Sequence, residues 1–145
     1  MKRTATAIWS GTLKEGTGTV STQSRILDGT PYSFEARFEK DDIQSATNPE
    51  ELLGASHAGC FTMQLSALLA KNDTPAEKLE TKAEVTVDEA DGGGFEIKSS
   101  KLILMASVPG LEKDKLMEIA EEAKNICPLS KALAGTSISL EATLA

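Results

Sequence analysis

Residues 48–71 read NPEELLGASHAGCFTMQLSALLAK, and this stretch sets the layout of the whole chain. Asn48 is suited to cap a helix, and Pro49 suits the first helical position, where its missing N–H is no loss. Glu51 falls three residues after the cap, where a carboxylate can close a capping box. The pattern predicts one long helix from Pro49 to about Lys71. Gly54, Ala55, Ser56, Ala58 and Gly59 form a small-residue stretch inside it, and each glycine there costs ~1 kcal/mol relative to alanine. Close approach by another element would account for that cost. Leu52, Leu53, Phe61, Met63, Leu65, Leu68 and Leu69 leave the helix apolar on most sides, so it is expected to be buried.

Shorter elements lie on either side. Residues 4–9 and 17–24, rich in Thr, Val and Ser and punctuated by Gly11, Gly16 and Gly18, read as a β-hairpin. After the Asp28-Gly29 turn, Tyr32, Phe34, Ala36 and Phe38 alternate with polar residues. That period of two predicts a third strand with Arg37 on its polar face. Beyond the long helix, Ala83, Val85 and Val87 alternate with charged and hydroxyl residues. The Gly92-Gly93-Gly94 turn then leads to a strand holding Phe95, Ile97 and Leu102 to Met105. Pro109-Gly110 precedes a helix carrying Leu111, Leu116, Ile119, Ala120, Ala123 and Ile126, which Pro128 ends at Cys127. A short helix from Pro128 to about Ala134 stops at Gly135, and residues 138–144 make a last strand. The expected class is α+β, one domain over 1–145 in the order βββ-α-ββ-αα-β, with antiparallel sheets inferred from the short connections.

Composition narrows the function. Of 145 residues, 40% are hydrophobic and 26% charged, as in ordinary soluble globular proteins. Lys and Arg number 15 against 22 for Asp and Glu, and the formal charge of −7 would repel a phosphate backbone. With only 4% aromatic residues there is also little to stack on bases, so no nucleic-acid partner is expected. MKRTATAIWS offers no apolar leader core, and no run is expected to approach the ~20 residues of a bilayer span. A cytoplasmic protein without a membrane partner follows as the expectation.

Two cysteines, Cys60 and Cys127, carry the reactive possibilities. In a reducing compartment they are either free core thiols or a redox couple. Cys60 lies too far inside its helix for the helix dipole to favour a thiolate, so a cation would have to do so. Three arginines exist, Arg3, Arg25 and Arg37, and only Arg37 stands just before the long helix. Cys127 opens a short helix whose free N–H groups favour a thiolate. Local electrostatics therefore points to Cys127, without ranking the pair. His57, three residues before Cys60, admits a Cys/His nucleophile, a zinc ligand or a buried core histidine. Glu50 stands ten residues before Cys60, about 15 Å along the axis at ~1.5 Å per residue. It either favours the helix N-terminus electrostatically or serves the Cys60 site of a second copy crossing at the small residues.

The stretches TNPEELLGASHAGCF (47–61), FEARFE (34–39), NICPLSKAL (125–133) and WSGTLKEGTGTVST (9–22) resemble the osmotically inducible protein C and organic hydroperoxide resistance (OsmC/Ohr) family. His57 in SHAGC resembles the OsmC branch, and Gly59 stands where many members have alanine. The resemblance implies that Cys60 is the peroxidatic cysteine, Cys127 the resolving one, Arg37 the catalytic arginine and Glu50 the glutamate that orients it. It also implies an intertwined homodimer, with antiparallel sheets wrapped around central helices and active sites at the subunit interface.

The implied activity is a thiol peroxidase for organic hydroperoxides, with hydrogen peroxide a poorer substrate, acting in oxidative and osmotic stress. A Cys60–Cys127 disulfide would form in each turnover. A dithiol, for one branch a lipoylated protein, would then reset it, with no metal or cofactor. Leu53, Phe61 and Met63 are candidates to bury an alkyl tail. Two other readings use the same residues: a non-catalytic dimeric binding protein with inert thiols, and a Cys/His hydrolase.

Overall fold

The computed structural model describes residues 1–40 and 44–145. These form two compact units, Met1–Leu52 and Leu53–Ala145, and the α+β class holds in them.

In the first unit, strands β1 (Ala5–Ser10), β2 (Thr17–Thr22) and β3 (Thr30–Tyr32) form an antiparallel sheet in that order. Trp9 faces Gly18 across β1 and β2, and Tyr32 faces Gly18 from the other side. A side chain at 18 would meet both rings, since a Cβ there would lie 2.4 Å from Trp9 Cε3 and 2.4 Å from Tyr32 Cε1. With glycine in place the two rings pack at 5.2 Å between centroids.

The third strand stops at Tyr32, short of the range its alternation predicts. Ser33 caps a five-residue helix α1 (Phe34–Phe38), its Oγ accepting from the Ala36 N–H at 3.1 Å. Phe34 and Phe38, read from the sequence as alternate strand positions, are also i,i+4 neighbours, and their rings lie 5.1 Å apart. Over so short a run both periods fit, and the cap favours the helix. Arg37 consequently sits in the last turn of a helix instead of on a strand face.

Helix α2 (Pro49–Lys71) begins where its cap predicts, with Asn48 Oδ1 accepting from the Glu51 N–H at 2.8 Å. The Glu51 carboxylate takes the Thr47 hydroxyl at 2.7 Å as its partner. By length and a mean hydropathy of 1.2 alone, this helix could cross a bilayer, which corrects the expectation that no segment comes near. In the second unit, however, its Phe61, Leu65 and Leu69 are wholly buried in a core built on a sheet.

That sheet has the order β4 (Lys78–Glu89), β5 (Phe95–Ser107), β6 (Ser137–Leu144). β4 pairs antiparallel with β5 as expected, but β6 pairs parallel with β5. A parallel neighbour needs a crossover of a dozen or more residues, and α3 (Lys113–Ile126) and α4 (Pro128–Ala132) provide it. Leu102 and Leu104 of β5 and Leu116 and Ile119 of α3 close the core against α2. Each such side chain contributes roughly 1.5–3 kcal/mol when removed from water.

The expected burial of α2 holds on one face only. Gly54 is buried where β4 passes, since a Cβ there would sit 3.4 Å from the Ala83 carbonyl oxygen. Gly59 opens onto free space, and with Ala55, Met63, Ala67 and Ala70 it forms an exposed small and apolar face; Met63 is 76% exposed.

Candidate active site

Cys60 projects from the middle of α2, and Cys127 is at once the C-cap of α3 and the N-cap of α4. Pro128 disfavours helical dihedrals at Cys127, whose backbone turns to φ −57° and ψ 125°. This bend between the helices brings its sulfur to 3.1 Å from Cys60 Sγ. Cys127 is wholly buried and Cys60 only partly so, which makes Cys60 the sulfur open to a small substrate.

The two thiols are held at different acidities. Burial pushes the Cys60 thiol up, and the thiol hydrogen bond with Cys127 adds to that, outweighing the Leu129 N–H that favours its thiolate. Burial also acts to raise Cys127, but there it is outweighed. The Ser130 N–H, the Cys60 thiol, the Ser130 hydroxyl and the Leu129 N–H all support its anion, and the net direction is down. The N-terminal N–H groups of α4 thus favour Cys127 as the local reading of the sequence anticipates. A peroxidatic role for Cys60 therefore calls for a cation.

Arg37 and Glu50 form an ion pair within the first unit. Arg37 Nε donates to Glu50 Oε1 and Oε2 at 3.2 and 3.1 Å, and one terminal nitrogen donates to Oε1 at 2.8 Å. Such a fork fixes the guanidinium plane as well as its position. The Phe38 ring lies 4.8 Å from the guanidinium carbon and supports its other side. Glu50 is buried while the Arg37 side chain keeps 36% of its surface, so the arginine offers a free edge beyond its carboxylate.

That edge lines a cavity of about 250 Å³ whose apolar wall includes Trp9, Leu13, Tyr32, Phe34 and Phe38. None of these was singled out as pocket-forming in the sequence. Phe61, which was, is wholly buried in the second unit's core, and Met63 stands exposed on α2.

His57 is wholly buried, and both its nitrogens are occupied. Nδ1 pairs with Ser100 Oγ at 2.7 Å and Nε2 with Ser130 Oγ at 2.9 Å. Burial lowers its pKa and keeps it neutral. Of the three alternatives, this arrangement matches the buried core histidine, with no ring nitrogen left for a metal. Among the described residues no group of three His, Cys, Asp or Glu side chains is placed to hold one. Ser100 and Ser130 were missed in the sequence. Ser130 had a local signal, three residues after an N-terminal cysteine, whereas Ser100 had none.

Fold and site together define an α+β protein built around a close pair of thiols, with a separate carboxylate-clamped arginine beside an apolar cavity. The chain belongs to the OsmC-like protein family, whose model matches residues 40–142. It is 42% identical over 127 residues to Peroxiredoxin OsmC of Escherichia coli (strain K12), covering 88% of this chain and 86% of that protein. It is 36% identical over 104 residues to the organic hydroperoxide resistance protein of Xanthomonas axonopodis pv. citri (strain 306), covering 68% of this chain and 67% of that one. The crystal structure of the organic hydroperoxide resistance protein OhrB of Bacillus subtilis matches it with a TM-score of 0.74 at 25% identity, covering 97% of this chain and 98% of that one.

Proposed function

We propose that this chain is a cysteine-based peroxidase that reduces organic hydroperoxides, and hydrogen peroxide less well, in defence against oxidative and osmotic stress. The relatives' names support the peroxidase class, and the 3.1 Å approach of the two sulfurs carries the mechanism. The Cys60 thiolate attacks one peroxide oxygen, the O–O bond breaks, and the alkoxide leaves and takes a proton to become the alcohol. Arg37, held by Glu50, stabilises both the thiolate and the departing alkoxide. Cys127 then attacks the Cys60 sulfenic acid, forming the disulfide as hydroxide departs and leaves as water with the Cys127 proton. An external dithiol, such as a lipoylated protein, takes up the oxidation by thiol exchange and restores both thiols. Each step balances with thiols and peroxide alone. The apolar cavity at Arg37 favours an alkyl or aryl hydroperoxide over hydrogen peroxide.

The working unit in this reading is a cytoplasmic homodimer. The exposed face of α2, small at Ala55 and Gly59, allows a second copy of the helix to cross closely, so that the Arg37–Glu50 pair of one copy serves Cys60 of the other. The test is a thiol count before and after one equivalent of cumene hydroperoxide, with sedimentation giving the assembly. Loss of both thiols, abolished by Cys60→Ser, is the expected result. No loss in the unmodified protein would instead favour a binding protein with inert thiols.

A further inference from the structure

Arg37 is carried by α1, whose five residues are too few to hold a helix in place by themselves. Its partner Glu50 sits in the first turn of α2. The fork between them therefore fixes the guanidinium only as well as α1 is fixed to the start of α2. Asn48, at the cap of α2, makes that join with one side chain. Its Oδ1 accepts from the Glu51 N–H at 2.8 Å, and its Nδ2 donates to the Ala36 carbonyl oxygen at 3.0 Å. One partner is a donor and the other an acceptor, so both ends of the amide are used and its orientation is set.

The Ala36 carbonyl is open to this bond because α1 ends there. The Glu39 and Lys40 N–H groups both turn to the Glu35 carbonyl, at 3.0 Å each, so the Lys40 N–H that would continue the helix onto Ala36 is already spent. Ala36 is buried, where an unpaired carbonyl would be costly. The acceptor stands one residue before Arg37 and the donor two residues before Glu50, so the bond runs beside the ion pair. Thr47 anchors the same stretch to β3, its N–H donating to the Pro31 carbonyl at 2.8 Å. A residue that only capped α2 would need the oxygen alone, which serine or aspartate supplies equally well.

We infer that Asn48 is a positioning residue for the peroxide-reducing step, its amide locking α1 to the start of α2 so that Arg37 and Glu50 meet as a fork. This rests on the reading of Arg37 as the group that stabilises the thiolate and the departing alkoxide. The amide sets the guanidinium before substrate arrives and keeps its free edge on the apolar cavity, which Pro49, the next residue, also lines. Misplacing such a group by about 1 Å can cost on the order of 100-fold in rate.

Asn48→Ser and Asn48→Asp keep the capping oxygen and remove the donor to Ala36. Each should retain most of the cap's contribution to the melting temperature and lower kcat/KM for cumene hydroperoxide about tenfold. Asn48→Ala, which removes both bonds, should lose as much rate and melt lower as well. In an Arg37→Lys background, where no fork remains, Asn48→Ser should cost about twofold or less. The clamp can also be read without turnover. Of the three arginine Nε–H signals, that of Arg37 is the one lost in Arg37→Lys. Held by both Glu50 oxygens, it should exchange with solvent about tenfold faster in Asn48→Ser. Unchanged exchange in Asn48→Ser, or the same fractional loss of rate with and without Arg37, would overturn the inference. If the unmodified protein left hydroperoxide intact, the peroxidase reading would fail, whereas the exchange rate would still decide whether Asn48 holds the pair.

Discussion

The sulfurs of Cys60 and Cys127 stand 3.1 Å apart although 67 residues separate them in the chain. One lies in the middle of the central helix of its unit and the other at a bend between two helices, so the pairing is a product of the core that packs them together. In the proposed cycle, this contact lets the disulfide close with little rearrangement.

Cys127→Ser removes the group that condenses with the sulfenic acid. One equivalent of hydroperoxide should then consume the Cys60 thiol and leave a species that dimedone traps, readable by mass. Turnover under a dithiol reductant should fall by about tenfold or more, because the exposed sulfenic acid can oxidise further. Recycling at the unmodified rate would speak against Cys127 as the resolving thiol.

Arg37→Lys and Glu50→Gln should each lower kcat/KM for cumene hydroperoxide by about 10- to 100-fold, since a lysine cannot make the fork and a neutral amide cannot hold it. The two residues form one unit through bonds of 2.8 to 3.2 Å. The double variant should therefore lose much less than the product of the single losses. Full additivity in single-turnover rates would show that they act separately.

The cavity predicts specificity. Phe34→Ala removes apolar wall beside Arg37 and should raise KM for cumene hydroperoxide about tenfold, as expected for the lost burial of one aromatic face. Hydrogen peroxide, which has no tail to place there, should change much less. An equal effect on both substrates would mean that the cavity does not bind the tail.

His57 makes stability depend on pH with a definite sign. Its pKa is lowered by burial in the folded state, while in the unfolded chain it sits near its ordinary value of ~6.5. Below that value the unfolded chain binds a proton that the folded one refuses, so its contribution is present above about pH 6.5 and is lost as pH falls toward the folded-state pKa. The limiting slope is about 1.4 kcal/mol per pH unit for one proton. Urea unfolding between pH 7 and 5 should show this loss, and His57→Gln should flatten it. An identical slope in that variant would assign the proton to another group.

Much of the layout was legible because its signals are local. The cap at Asn48 and Pro49 marks the start of α2, and Pro128 ends α3 at Cys127 through clashes with the residue immediately before it. The segment around Arg37 was misread because Phe34, Ala36 and Phe38 fit a strand and a single helical turn equally well, and the Ser33 hydroxyl tips the choice. The direction of β6 was misread for a different cause. Its own alternation is the same whether its neighbour runs parallel or antiparallel, and only the helical crossover distinguishes them.

By itself the sequence determined most of the element types, the long central helix and the residues able to carry thiol chemistry, since propensity, capping and side-chain identity act over a few residues. The tertiary structure alone decided which of those residues meet. It joined Arg37 to Glu50 and Cys60 to Cys127, and tied His57 to Ser130 and to Ser100, which no local pattern marks. Such contacts bridge 13 to 73 residues of chain. They depend on how apolar faces bury one another, which is a property of the whole core and is carried by no short stretch of sequence.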